Sequence, residues 1–88
     1  MAVASYMVDV YAYLVKQGRR DFDTLPTEYQ LPVAQKLALE ADADPAFYSY
    51  MVKPYAYLVT QGVRTIESLP TQYQGSVSDH LAAGAETA

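Results

Sequence analysis

One 44-residue unit is written twice in this chain, and that duplication constrains the possible folds more than any other feature. At an offset of 44, Tyr6-Met7-Val8 falls on Tyr50-Met51-Val52, and Tyr11-Ala12-Tyr13-Leu14-Val15 falls on Tyr55-Ala56-Tyr57-Leu58-Val59. Gln17-Gly18, Leu25-Pro26-Thr27, Tyr29-Gln30, Val33 and Leu37 likewise meet Gln61-Gly62, Leu69-Pro70-Thr71, Tyr73-Gln74, Val77 and Leu81; 22 of the 44 aligned positions are identical. What both copies keep is what one unit needs, so the repeat filters every candidate residue.

Each unit reads as two helices. Val3, Tyr6, Met7, Val10, Tyr11, Leu14 and Val15 recur at spacings of three and four, which predicts a helix over 3–17. Gly18 follows where a left-handed C-terminal cap favours a residue without Cβ. The second copy repeats the stripe with Phe47, Tyr50, Met51, Tyr55, Leu58 and Val59 and stops at Gly62. Asp44-Pro45 suits its start, as N-cap and first helical residue. Val8, Ala12 and Tyr13 widen the apolar arc until the first helix is apolar nearly all round, which predicts burial.

Leu25-Pro26 and Leu69-Pro70 mark the entry to a second helix, because the residue before proline is pushed out of the α region. Tyr29, Val33 and Leu37, with Tyr73, Val77 and Leu81, draw a thin stripe expected of a peripheral helix. The fold class expected is all-α: two tandem helical hairpins, 1–44 and 45–88, about four helices, forming a single domain. A hairpin of 44 residues holds too little core to stand alone. The two buried first helices are therefore expected to pack together about a pseudo-twofold axis. Pro32 and Pro54 fall inside helical stretches, and each is expected to kink the helix or restart it. Residues 84–88 are expected to fray.

Composition narrows the function. The chain contains no cysteine, which excludes disulfides and thiolate metal sites. Net charge is −4 with six scattered Lys and Arg, a balance that speaks against duplex nucleic acid. Nine tyrosines and no tryptophan suit half-buried faces and protein interfaces. The apolar stretches 6–15 and 46–59 carry Asp9 and Lys53 and are too short to cross a bilayer, and no basic leader precedes them. No membrane association and a cytoplasmic location are expected.

Catalytic constellations are thin. His80 beside Asp79 has Lys36 and Gln35 as its counterpart, so the unit does not need it, and it reads as a surface residue. Glu40, Asp42 and Asp44 lack the glycine and terminal glutamate of a calcium loop and read as a solvated linker. No glycine-rich phosphate loop or nucleophile motif is present. No enzyme activity, metal or cofactor is expected. Arg20 and Arg64 survive the filter. Each either satisfies helix-end carbonyls, pairs with Asp21, Asp23 or Glu67, or forms one of a symmetry-related pair of partner-binding groups. Tyr6, Tyr11, Tyr50 and Tyr55 read as core residues whose hydroxyls reach the surface. Tyr13 and Tyr57 lie at the edge of the arc and are interface candidates, and Tyr48, whose counterpart is Ala4, is a possible exposed contact.

The run from Tyr55 to Leu81, with Gly62-Val63-Arg64-Thr65-Ile66-Glu67 and Leu69-Pro70 at its centre, resembles a class of very short bacteriophage and prophage proteins. The first copy matches more loosely, with Asp21-Phe22-Asp23 in place of Thr65-Ile66-Glu67. Proteins of that class carry one unit where this chain carries two. The resemblance implies an accessory of virion structure, assembly or host interaction, and no catalytic residues. The expectation is a non-enzymatic helical interaction protein that binds a protein partner or itself, as a homodimer or larger assembly. The alternative is a small regulatory nucleic-acid-binding protein.

Overall fold

In the computed structural model, which describes residues 4–87 and the side chains of 4–84, the chain folds into four α-helices with no strand among the described residues. They are α1 (Ser5–Lys16), α2 (Thr27–Asp42), α3 (Val52–Thr60) and α4 (Thr71–Thr87), with 3₁₀ turns at Phe22–Thr24, Ser49–Met51 and Ile66–Ser68. The all-α class and four helices are as expected, but the unit is not the hairpin expected: its connection returns along the first helix, so the second helix does not run antiparallel to it. Val3, assigned to the first helix by its spacing, lies outside the described residues.

Both first helices end as their glycines demand. Gly18 and Gly62 sit at φ 70° and 75°. The Gly18 and Arg19 amides donate to the Val15 and Leu14 carbonyls at 3.1 and 2.9 Å, and those of Gly62 and Val63 to Val59 and Leu58 at 3.1 and 3.0 Å. This is the Schellman pattern, which closes the last carbonyls of a helix around a left-handed residue. Each connection then runs back alongside the helix it leaves. Asp9 pairs with Lys36 and Lys16 with Glu40, so order along α1 matches order along α2 and the two run in the same sense.

The units do not join through their first helices, as a pseudo-twofold pairing would require. α2 packs on α3 most extensively, α3 also on α4, and α1 on α2, whereas α1 and α3 make at most a marginal contact. The helices thus pack consecutively. The reason lies on α2, which buries Ala34, Ala38 and Ala41 in addition to the Val33–Leu37 stripe. Spacings of four and three place these alanines on one face, and their small side chains let a neighbouring helix approach closely. α2 therefore has two apolar faces and is not the peripheral helix its thin stripe suggested. α1, expected to be buried, buries only Ala12 and Val15.

The prolines act at different depths. α2 runs through Pro32 as one helix, Thr27–Asp42, with no restart there. Pro54 occupies the third position of α3, where an amide has no intrahelical acceptor to lose. The segment that opens the first helix in copy one is here a 3₁₀ turn, and the helix restarts at Val52. Asp44-Pro45 accordingly opens no helix. α4 continues to Thr87, and Ala88 lies outside the described residues.

One core cluster spans both units, built on Phe22, Leu25, Val33, Leu37, Met51, Tyr55, Leu58, Leu69, Tyr73 and Val77. No helix among the described residues is long and apolar enough to cross a membrane.

Candidate functional site

Several residues kept in both copies are engaged in equivalent structural bonds. The Ala4 amide donates to the Tyr29 hydroxyl at 3.1 Å, and 44 residues later the Tyr48 amide donates to that of Tyr73 at 2.8 Å. Gln30 and Gln74 each donate through Nε2 to the carbonyl five residues back, Leu25 and Leu69, at 3.1 and 3.0 Å. The Tyr11–Tyr29 and Tyr55–Tyr73 rings lie 5.0 and 4.9 Å apart. Each pair joins the first helix of a unit to its second.

Arg20 and Arg64 belong to the same scaffold. Arg20 Nη2 donates to the Thr24 carbonyl at 3.0 Å and Arg64 Nη2 to that of Ser68 at 2.6 Å, so each guanidinium ties down the end of its 3₁₀ turn. Each also lies over the first tyrosine of its unit, 5.1 Å from the Tyr11 centroid and 5.3 Å from that of Tyr55. They differ in one partner. Arg64 Nη1 reaches both Asp42 oxygens at 3.0 Å, while Arg20 forms no ion pair among the described residues. The pairing with Asp21, Asp23 or Glu67 weighed from sequence is therefore replaced, at Arg64, by Asp42. The acidic run was misread as linker because α2 extends to Asp42.

Asp42 stands at the junction of the units. Its Oδ1 accepts the Tyr55 hydroxyl at 2.7 Å beside Arg64, binding α2 to α3 and to the second connection. Burial first, and then this bond to a carboxylate, push the Tyr55 phenol above its ordinary value. Asp44 caps the linker: the Ala46 amide and the Tyr48 hydroxyl donate to it at 2.9 and 2.8 Å. Those bonds hold its carboxyl below the usual range and raise Tyr48 in turn.

The five candidate contact residues are not brought into one site. Tyr48 stacks on Tyr50 at 5.4 Å near the start of α4, and Arg20 and Arg64 sit in their separate connections. Tyr57 is half-buried edge-on against Phe22 at 5.4 Å. Its counterpart Tyr13 is 59 % exposed. Tyr6, expected in the core, is 69 % exposed, and Val10 between them is 43 % exposed. Positions 6, 10 and 13 fall within about 60° around a helix with 3.6 residues per turn, so they form one apolar stripe on α1. The pattern showed this stripe but could not show that no other helix covers it.

Reactive groups are sparse. His80 is exposed at the rim of an open, shallow cleft with Asp23, Lys53 and Tyr57. No group of three metal-ligating side chains occurs among the described residues. Comparison with protein-family models, curated proteins and solved structures gave no match.

Proposed function

We propose that this chain is a non-enzymatic association protein, acting in the host cytoplasm or the virion as an accessory of a phage or prophage structural module. It works by presenting helix faces to a protein partner or to itself. The observation that carries this reading is the division of labour among its residues. Tyr11, Tyr29, Gln30 and Arg20, with their counterparts Tyr55, Tyr73, Gln74 and Arg64, are occupied within the scaffold, whereas Tyr6 and Tyr13, also kept, stand with Val10 as exposed apolar surface on α1. Aromatic side chains on an otherwise polar surface mark contact sites more often than chance. The phage context rests on the sequence resemblance alone, closer in the second unit than in the first. Lys16, Lys36, Lys53 and Arg64 pair with carboxylates, which leaves little free positive charge for a phosphate backbone.

Site-specific photocrosslinking in a bacterial cell tests the reading. A benzophenone amino acid at Tyr13 is expected to give a discrete protein adduct, and the same group at exposed Glu28 to give none. Absence of any adduct at Tyr13, with another protein or with a second copy, would overturn it. A salt-dependent shift of duplex DNA would favour a nucleic-acid regulator instead.

A further inference from the structure

The two units set one arginine in the same frame and then part at a single nitrogen. In unit two, Arg64 Nε and Nη2 donate to the Ser68 hydroxyl and carbonyl at 3.3 and 2.6 Å. In unit one, Arg20 Nε and Nη2 donate to those of Thr24 at 3.3 and 3.0 Å. The Thr24 and Ser68 hydroxyls in turn donate to the carbonyls of Asp21 and Thr65 at 2.6 and 2.7 Å. Each guanidinium lies over the tyrosine of its first helix, and that ring meets the second-helix tyrosine at 64° in unit one and 57° in unit two. The hydroxyls of Tyr11 and Tyr55, and Nη1 of Arg20 and Arg64, are therefore aimed alike.

In unit two these donors hold a carboxylate. Arg64 Nη1 donates to both Asp42 oxygens at 3.0 Å, and the Tyr55 hydroxyl donates to Oδ1 at 2.7 Å. In unit one, Arg20 Nη1 and the Tyr11 hydroxyl bond to no group among the described residues. At the 44-residue offset the position matching Asp42 falls ahead of Met1. Both side chains are half-buried, so an anion held there is shielded in part from water. Val63 lines a cleft with Arg64 and Asp42, and its counterpart is Arg19, which adds a second cation at the same edge in unit one. Asp21, where unit two has Thr65, is the nearest like charge in sequence and forms no ion pair with Arg20.

We infer that Arg20 Nη1 and the Tyr11 hydroxyl form a carboxylate-binding site whose ligand is an aspartate or glutamate side chain at the C-terminal end of a partner protein's helix. Asp42, the last residue of α2, is the template for that ligand. A carboxylate at a helix C-terminus faces the negative end of the helix dipole, and a guanidinium relieves that repulsion. One nitrogen reaching both oxygens, with a phenol on one of them, matches the two acceptors that a carboxylate presents. A second copy carries such a residue in register, since Glu86 falls on Asp42 at the 44-residue offset, near the end of α4. The inference rests on the association reading above and names the chemistry of the partner, at a site apart from Tyr6, Val10 and Tyr13.

The chain has three arginines, Arg19, Arg20 and Arg64, so nitrogen-15 NMR of the full chain follows each Nε–H signal singly. In a dilute sample, sodium acetate exchanged for sodium chloride at constant ionic strength should shift the Arg20 signal saturably. A half-point at or below about 100 mM is expected of one partly exposed ion pair with a hydrogen bond beside it. Arg64, already held by Asp42, should stay in place. Tyr11→Phe keeps the ring under Arg20 and should raise the half-point about two- to tenfold through the lost hydrogen bond. An Arg20 signal that does not move, moves without saturating, moves no more than those of Arg19 and Arg64, or ignores Tyr11→Phe overturns the inference. Raising the protein concentration in place of acetate then separates the sources of the carboxylate. The same shift, lost in Glu86→Gln, assigns it to a second copy; no shift, with acetate still bound, assigns it to another protein. Failure of acetate to bind at Arg20 removes this inference alone, whereas the absence of any adduct at Tyr13 removes the association reading.

Discussion

Arg64→Ala and Arg20→Ala form a matched pair of perturbations, because the repeat places the same residue in the same local frame twice. Both lose a hydrogen bond from a charged donor to a carbonyl, about 1.5 kcal/mol at the low end for charged groups. Both lose a ring contact of about 0.5 kcal/mol. Water replaces part of this at Arg20, so its loss is set at about 1 to 1.5 kcal/mol. Arg64 loses in addition its two 3.0 Å bonds to Asp42. The Arg64 and Asp42 side chains are 19 % and 38 % exposed, so the pair is discounted toward the surface value, at most about 1 kcal/mol. Arg64→Ala should therefore destabilise by about 2 to 2.5 kcal/mol, and the gap of about 1 kcal/mol corresponds to roughly 4–8 °C in Tm for a domain of this size. Thermal and urea unfolding followed by circular dichroism would measure it. Asp42→Asn, which keeps an acceptor for Tyr55 but removes the charge, should narrow the gap. Equal losses at the two arginines, or a larger loss at Arg20, would show that Asp42 does not tie the units together as described.

Three further outcomes follow from the same geometry. Gly62→Ala should cost about 1 to 2 kcal/mol from the left-handed backbone alone, since a Cβ there meets nothing within 4 Å; Gly62→Asn should cost less, as unfolding curves would show. Tyr73→Phe takes the partner from both the Tyr48 amide and the Ala46 carbonyl beside a buried ring and should cost about 1 to 2 kcal/mol, whereas Tyr29→Phe, half-buried and with the Ala4 amide alone, should cost under about 1 kcal/mol by the same assay. Stability should also fall in alkali. The folded Tyr55 and Tyr73 phenols are held above their unfolded value, mainly by burial, so their contribution is full below about pH 10 and is lost as pH rises beyond it. Tyr55→Phe should flatten that decline in a urea series across pH; an unchanged slope would contradict it.

Where each element lies was largely legible in the sequence, because its signals are local. Gly18 and Gly62 fixed the ends of α1 and α3, and Leu25-Pro26 and Leu69-Pro70 fixed the starts of α2 and α4. How the helices meet was not, because the decisive residues are alanines. Ala34, Ala38 and Ala41 read as neutral helix formers, yet they make the second face of α2 that receives α3. The wide apolar arc of the first helix predicts burial, yet Tyr6, Val10 and Tyr13 stay exposed on α1, because the arc does not say which helices pack against it. The arginines show the limit of the repeat as a filter. Conservation between two copies of one scaffold selects for the scaffold, and Arg20 and Arg64 were retained because each holds its connection in place.

The account depends most on consecutive packing, with α3 lying against α2 and the first connection and α1 left open on one side. The chain has two phenylalanines, Phe22 and Phe47, so selective labelling makes the Phe22 ring identifiable by NMR. In a dilute, monomeric sample, nuclear Overhauser contacts should link the Phe22 ring to that of Tyr57, 5.4 Å away between centroids, and should link neither Val10 nor Tyr13 to α3. Contacts from Val10 or Tyr13 to Tyr50 or Tyr57, with none from Phe22 to Tyr57, would instead place α1 against α3, cover the proposed docking face, and contradict the account.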